Sequence, residues 1–134
     1  MLQEAAASPN GQRSKKTILV IEDDESIGEL IALALSQEAS CYLPLVVTDS
    51  DGALALLTSQ PVHLLLIDYH VAPLNGLALY DLLQAQHALR DIPVIIMSAS
   101  LECHEQELGE RNLTGLSKPF DLDELLAVVK QAIR

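Results

Sequence analysis

The 134-residue chain has no tryptophan, one phenylalanine and three tyrosines, so the simplest fluorescence titration is closed to it. Cysteine is almost as scarce. Cys41 and Cys103 stand far apart, in neither a metal-binding nor a redox spacing, a usage that suits a reducing cytoplasm. Cys103 beside His104 is the one pair a metal could use, and the plainer reading is two ordinary thiols. No apolar run approaches the roughly 18 residues of a membrane span. The opening residues, Met1-Leu2-Gln3-Glu4, lack the basic and apolar segments of a secretory signal. No glycine-rich dinucleotide fingerprint is present. Positive charge is also short, with eight Lys and Arg against nineteen Asp and Glu and a net charge of −11. Glu4 against Arg13, Lys15 and Lys16 makes residues 1–16 a +2 segment, which leaves the rest at −13. Such a body repels phosphate backbones, which argues against direct nucleic acid binding. A solvated acidic surface accounts for Glu102, Glu105, Glu107 and Glu110. It does not account for acids set directly after apolar runs.

What remains is a chain that is almost half apolar and long enough for one domain with its own core. Its organising stretch is residues 62–76, VHLLLIDYHVAPLNG. The run Leu64-Leu65-Leu66-Ile67 is too short for a typical helix and does not alternate with polar residues. It reads as a strand buried on both faces, although a short apolar run does not by itself exclude a helix. The run stops on Asp68, and Pro73, Asn75 and Gly76 mark a loop.

Residues 1–16, broken by Pro9-Asn10-Gly11, read as a flexible tail or a segment added to the natural chain, with the domain over 17–134. A first strand spans 17–21 and runs into Glu22-Asp23-Asp24-Glu25. Ile27, Leu30, Ile31, Ala34 and Leu35 then form a helical stripe, capped by Asp24 or Ser26. A short second strand spans 45–48, after Pro44. The second helix opens at 49–51, with Ala53, Leu54 and Leu57 inward. After the third strand comes a helix over 77–85, then a fourth strand over 93–97 running into Ser98. Residues 101–112 are mostly polar and predict a short, loosely held helix. A brief fifth strand at 115–117 leads to Lys118-Pro119. Asp121 and Glu124 form a capping-box pair for the last helix, whose stripe is Leu122, Leu125, Leu126, Val129 and Ile133.

Five strands alternating with five helices predict an α/β fold: a flavodoxin-like doubly wound parallel sheet of order 2-1-3-4-5. On that frame Glu22 and Asp23 follow strand one, Asp68 ends strand three, Ser98 ends strand four and Lys118 follows strand five. All fall on one sheet edge, around the crevice between strands one and three. Three carboxylates there repel one another unless a cation compensates. Mg²⁺ suits an all-oxygen site of this kind. An Asp carboxylate is a competent nucleophile towards phosphorus. Mg²⁺ and the Lys118 ammonium can neutralise the transferring oxygens, and the Ser98 hydroxyl can donate to one of them. Plainer roles exist for each residue: a loop cap for Asp68, helix-terminus acids for Glu22 and Asp23, a turn serine and a surface lysine. All of these would have to coincide at one edge.

The stretches ILVIEDDE (18–25), LLID (65–68), VIIMSA (94–99) and KPF (118–120) resemble the response-regulator receiver domain of two-component signalling, over residues 17–134. The resemblance implies that Asp68 is the phosphoacceptor for a histidine kinase or a histidine phosphotransfer protein. It also implies that Asp23 binds Mg²⁺ directly, Glu22 through water and His70 through its backbone carbonyl. Ser98 would be the hydroxyl that moves towards the phosphoryl group, and Lys118 its ionic partner. A cis Lys118-Pro119 bond, a cytoplasmic location, and a downstream effector or fused output domain follow from the same likeness. A homodimer stays open. Apart from its own phosphorylation and dephosphorylation, the domain is expected to be no enzyme.

Three departures stand out. The proline usual four residues after the phosphoacceptor is Ala72 here, with Pro73 one later, so the loop over the metal should be reshaped while Gly76 keeps its place. The aromatic usual three residues before the lysine is Gly115, which as a turn glycine would merely enter strand five. The span from Ser98 to Lys118 is short, which truncates the fourth helix. His70 stands where side chains influence phosphoryl lifetime, with no sign readable from sequence. His63, His87 and His104 read as surface or satisfied residues, none as a phosphorelay histidine. The chain stops after its fifth helix, as expected of a stand-alone receiver or one cut from a longer protein. Two competitors share the fold class. A flavin-binding protein would need a hydroxyl- and amide-rich phosphate loop, which Glu22-Asp23-Asp24-Glu25 is not. An aspartyl phosphatase would have a second Asp where His70 stands. The serious alternative is a binding module that signals without phosphorylation, favoured by Gly115 and Ala72 and opposed by the complete Asp23, Asp68, Ser98 and Lys118 set.

Overall fold

The computed structural model describes residues 15–38 and 41–133. In chain order the elements are β1 (Lys16–Ile21), α1 (Glu25–Glu38), β2 (Tyr42–Val47), α2 (Ser50–Leu57), β3 (Leu64–Asp68) and α3 (Gly76–Gln84). There follow β4 (Val94–Ser98), a 3₁₀ turn (Leu101–His104), α4 (Glu105–Glu110), β5 (Thr114–Ser117) and α5 (Leu122–Ala132). The five strands form one sheet of order β2-β1-β3-β4-β5, every pairing parallel. The expected doubly wound sheet is therefore present.

Alternate residues of each strand feed two cores, as the two-residue side-chain period requires. Ile18, Val20, Leu64, Leu66, Ile95 and Met97 pack with Ile31 and Leu35 of α1 and Leu125 and Val129 of α5. Leu19, Ile21, Leu65, Ile67 and Ile96 pack on the other face with Ala53 and Leu57 of α2, Leu79 and Leu83 of α3 and Leu108 of α4. Every residue of β3 and β4 is buried, which is why those segments read as unbroken apolar runs. The last helix carries the expected box: Asp121 accepts from the Glu124 N–H, and Glu124 accepts from the Asp121 N–H. No described helix is long and apolar enough to cross a membrane.

Several sequence expectations need correction. Strand β2 starts at Tyr42 and runs through Pro44 rather than beginning after it. It lies at the sheet edge, where a residue without an N–H can be accommodated on the unpaired side. Strand β1 starts at Lys16, inside the stretch read as tail, and residues 1–14 lie outside the described residues. Leu30 is not on the buried stripe of α1 but 55% exposed. The helix turns its Gly28 edge to the sheet, where a Cβ would meet Val46 at 2.8 Å, and this rotates Leu30 outward. Leu122 is likewise exposed. Both line an apolar groove of about 450 Å³ with Ile27, Ile31, Pro119 and Phe120.

Helix α3 begins against the end of β3. Asn75 caps it, accepting from the Ala78 N–H, and a Cβ on Gly76 would lie 3.1 Å from both the Asp68 carbonyl oxygen and the Tyr69 Cα. Those neighbours are backbone and cannot step aside. A Gly76→Ala chain should therefore lose ~1–3 kcal/mol, as overpacked sites do, read as a lower midpoint in urea. An unchanged midpoint would contradict this close approach.

Candidate functional site

Each polar residue at the carboxyl edge is fixed by the strand it follows. The Glu22 N–H donates to the Val47 carbonyl at 3.0 Å and the Lys118 N–H to the Ser98 carbonyl at 2.8 Å. Both bonds extend the ladders one residue past the strands. Asp24 accepts from the Ser26 and Ile27 N–H groups at 2.9 and 3.2 Å, so it is the cap of α1, and Ser26 is not. That leaves Glu22 and Asp23 for the crevice. Glu22 is 1% exposed, Asp68 4% and Ser98 not at all, while Asp23 faces solvent. Lys118 joins the carboxylates: its Nζ lies 2.6 Å from Glu22 Oε1 and 3.4 Å from Asp68 Oδ1. Glu22 Oε2 also accepts from the Asp24 N–H at 3.3 Å.

Burial pushes the Glu22 carboxyl up to about 7. The Lys118 hydrogen bond opposes that rise and the neighbouring Asp68 charge adds to it, because both burial and a like charge disfavour a carboxylate. Burial works to lower the Lys118 pKa, but its hydrogen bond to Glu22 and the Asp68 charge outweigh burial and hold it above its ordinary value. One ammonium thus serves two buried carboxylates. Glu22, Asp23 and Asp68 each offer an oxygen, all within 4.8 Å of one another, and they form the one such group among the described residues. An all-oxygen set at that spacing, short of positive charge, fits Mg²⁺ better than a softer metal.

Glu22, Asp23, Asp68 and Lys118 are therefore brought together, and Ser98 ends the adjacent strand. The Ser98 Oγ accepts from the Ser100 N–H at 3.0 Å. His70 stands just outside, its ring exposed and its N–H 3.5 Å from Asp68 Oδ1, a long contact. The loop after β3 is held by Ser50, which is fully buried. The Ser50 N–H donates to the Ala72 carbonyl at 2.9 Å, and its Oγ accepts from the Leu74 N–H at 3.0 Å. Ala72-Pro73 is cis, as is the expected Lys118-Pro119. Gly76 donates to the Tyr69 carbonyl.

Sequence reasoning missed three residues here. Ser50 carried no signal beyond its helix-start position. Tyr69 and His104, 35 positions apart, stack with ring centroids 3.7 Å apart, and His104 Nδ1 also pairs with Glu107 Oε1 at 3.3 Å. Of the other histidines, His63 Nδ1 accepts from the Thr17 N–H and His87 is exposed. Both cysteines are exposed free thiols.

Comparison with known proteins finds a match to the model of the response regulator receiver domain over residues 18–130. The phosphate regulon transcriptional regulatory protein PhoB of Klebsiella pneumoniae is 32% identical over 123 residues, covering 89% of this chain and 52% of that protein. The chain thus spans about half the length of this curated relative. Among solved structures, the receiver domain of NtrX from Brucella abortus has a TM-score of 0.76 at 30% identity, covering 85% of this chain and 95% of that one. The response regulator TrrA from Thermotoga maritima, in complex with Mg²⁺ and BeF, has a TM-score of 0.75 at 25% identity, covering 87% and 97%.

The raised Glu22 pKa makes metal-free stability depend on pH. Glu22 holds its proton more tightly when folded than when unfolded, so between about 4.5 and about 7 the folded state binds more protons. The stabilisation is complete below 4.5 and is lost as pH rises to 7. Urea unfolding in chelator should show stability falling across that window in the wild type. The fall should be shallower in Glu22→Gln, and equal slopes would contradict the assignment.

Proposed function

The chain belongs to the response regulator receiver domain family, and on that basis we propose that Asp68 accepts a phosphoryl group from a phosphohistidine. The donor would be a sensor histidine kinase or a histidine phosphotransfer protein, and the setting the cytoplasm. Receiver domains are signalling domains, and this one would catalyse only its own phosphorylation and dephosphorylation. The observation that carries the reading is the buried trio of Glu22, Asp68 and Lys118, with contacts of 2.6 and 3.4 Å to the ammonium, beside the exposed Asp23.

In the proposed step an Asp68 carboxylate oxygen attacks phosphorus. The O–P bond forms as the P–N bond to the donor imidazole breaks, and the imidazole nitrogen keeps the electron pair. Asp23 and Asp68, the His70 backbone carbonyl, and Glu22 through water would hold Mg²⁺. When bound, that ion neutralises charge on the transferring oxygens. Lys118 is already 3.4 Å from an Asp68 oxygen, near enough to pair with a phosphoryl oxygen attached there. Ser98, an acceptor towards Ser100, keeps its own proton to donate. The signal would pass to a downstream effector or a fused output domain, with a second copy of the chain as a further partner class.

A binding module that signals without phosphorylation is the second reading, and the packing at Gly115 favours it. Leu101 occupies the place where a side chain at Gly115 would stand, so the family's usual aromatic readout is missing. Intact mass after incubation with acetyl phosphate separates the two readings. The phosphoacceptor reading expects one added phosphoryl group in the wild type with Mg²⁺, and none in chelator or in Asp68→Asn. No adduct, together with no binding of beryllofluoride, would favour the binding module.

A further inference from the structure

Gly115 leaves a gap on β5, and Leu101 fills it. A Cβ built on Gly115 would stand 2.7 and 2.9 Å from the two Leu101 methyl carbons. Leu101 opens the 3₁₀ turn that ends at His104, and this turn is fastened to the phosphoacceptor edge at both ends. At its start the Ser100 N–H donates to the Ser98 hydroxyl. At its end the His104 ring lies on the Tyr69 ring, centroids 3.7 Å apart and planes 17° apart. Tyr69 follows Asp68 directly, and its own N–H donates to the Met97 carbonyl at 2.8 Å. His104 also faces the other way: its Nδ1 is 3.3 Å from the carboxylate of Glu107, in the first turn of α4. One imidazole therefore touches both the residue after the phosphoacceptor and the short helix beyond.

We propose that the 3₁₀ turn reads the state of Asp68, and that the Tyr69–His104 stack is the contact that carries this state to α4. The inference rests on the phosphoacceptor reading above. A phosphoryl group on Asp68 competes for the Ser98 hydroxyl, and a Ser98 turned towards it gives up the Ser100 N–H. The start of the turn is then free to shift, with Leu101 sliding over a glycine that has no side chain to stop it. The end of the turn stays clasped to Tyr69, so the motion is delivered through His104. Helix α4 has only six residues and one buried side chain, Leu108. Its far end is tied to α3 by Arg111, which donates to both Asp81 carboxylate oxygens at 2.9 Å. A short helix held at one end and driven at the other is a two-position element. His104 is in this scheme a positioning residue and takes no part in phosphoryl transfer.

The test is the amide spectrum of the ¹⁵N-labelled full chain before and after adding Mg²⁺ and beryllofluoride. In the wild type the amides of Tyr69 and His70 should shift on binding, and those of residues 105–110 should shift with them. In His104→Ala the shifts at Tyr69 and His70 should persist while those over 105–110 fall at least twofold. His104→Phe, which keeps a ring against Tyr69, should restore most of the 105–110 response. Three results overturn the proposal: a wild-type site response with no change over 105–110, an undiminished 105–110 response in His104→Ala, or no recovery in His104→Phe. No shift at Tyr69 or His70 in the wild type would instead remove the phosphoacceptor reading, and this inference with it.

Discussion

Two carboxylates share one ammonium at the carboxyl edge of this sheet, and the rest of the site follows from that shortage of positive charge. Glu22 and Asp68 are both buried, and both reach the Lys118 Nζ. A buried carboxylate without enough compensation takes up a proton or recruits a cation. The raised Glu22 pKa is the first response, and the proposed Mg²⁺ site is the second. Lys118 does not meet the demand alone, because its contact with Asp68 is long at 3.4 Å. Such an arrangement is a poor way to stabilise a fold and a good way to favour a divalent ion and then a phosphoryl group.

The fold makes the shortage unavoidable. A parallel sheet puts the carboxyl ends of its strands on one edge, and the order β2-β1-β3-β4-β5 sends the connections from β1 and β3 to opposite sides of the crevice between them. Residues following those strands must meet there. The ladder bonds at Glu22 and Lys118 run one residue past the strands, so both side chains are fixed before any ligand arrives. Ser50 and Gly76 hold the loop after Asp68 in the same way. Rigid strands thus carry the charge while short loops set its surroundings.

The elements legible in the sequence were those whose signal is local. The runs ending at Asp68 and Ser98 were readable because strands buried on both faces tolerate nothing polar until they end. The Asp121 and Glu124 box was readable because its two bonds span three residues. The failures all depend on distant partners. Leu30 counted as core until Gly28 was seen to face Val46, since a glycine adds nothing to an apolar count. Pro44 looked like a strand boundary because sequence does not say which strand lies at the edge. His104 looked unpartnered because its ring partner, Tyr69, is 35 positions away. Gly115 was visible as a missing aromatic, but Leu101 as the residue that takes its space was not.

The claim that this edge is completed by a divalent cation is tested most directly by thermal unfolding of the chain in chelator and in Mg²⁺, at a pH above 7. A ligand that binds only the folded state contributes ~2.7 kcal/mol at a hundredfold excess over its Kd, which is several degrees for a domain of this size. The account predicts a saturable rise of that order in the wild type, and its near loss in Asp23→Asn, whose exposed side chain makes it the mildest change to the carboxylate set. An unfolding midpoint indifferent to Mg²⁺ would contradict it.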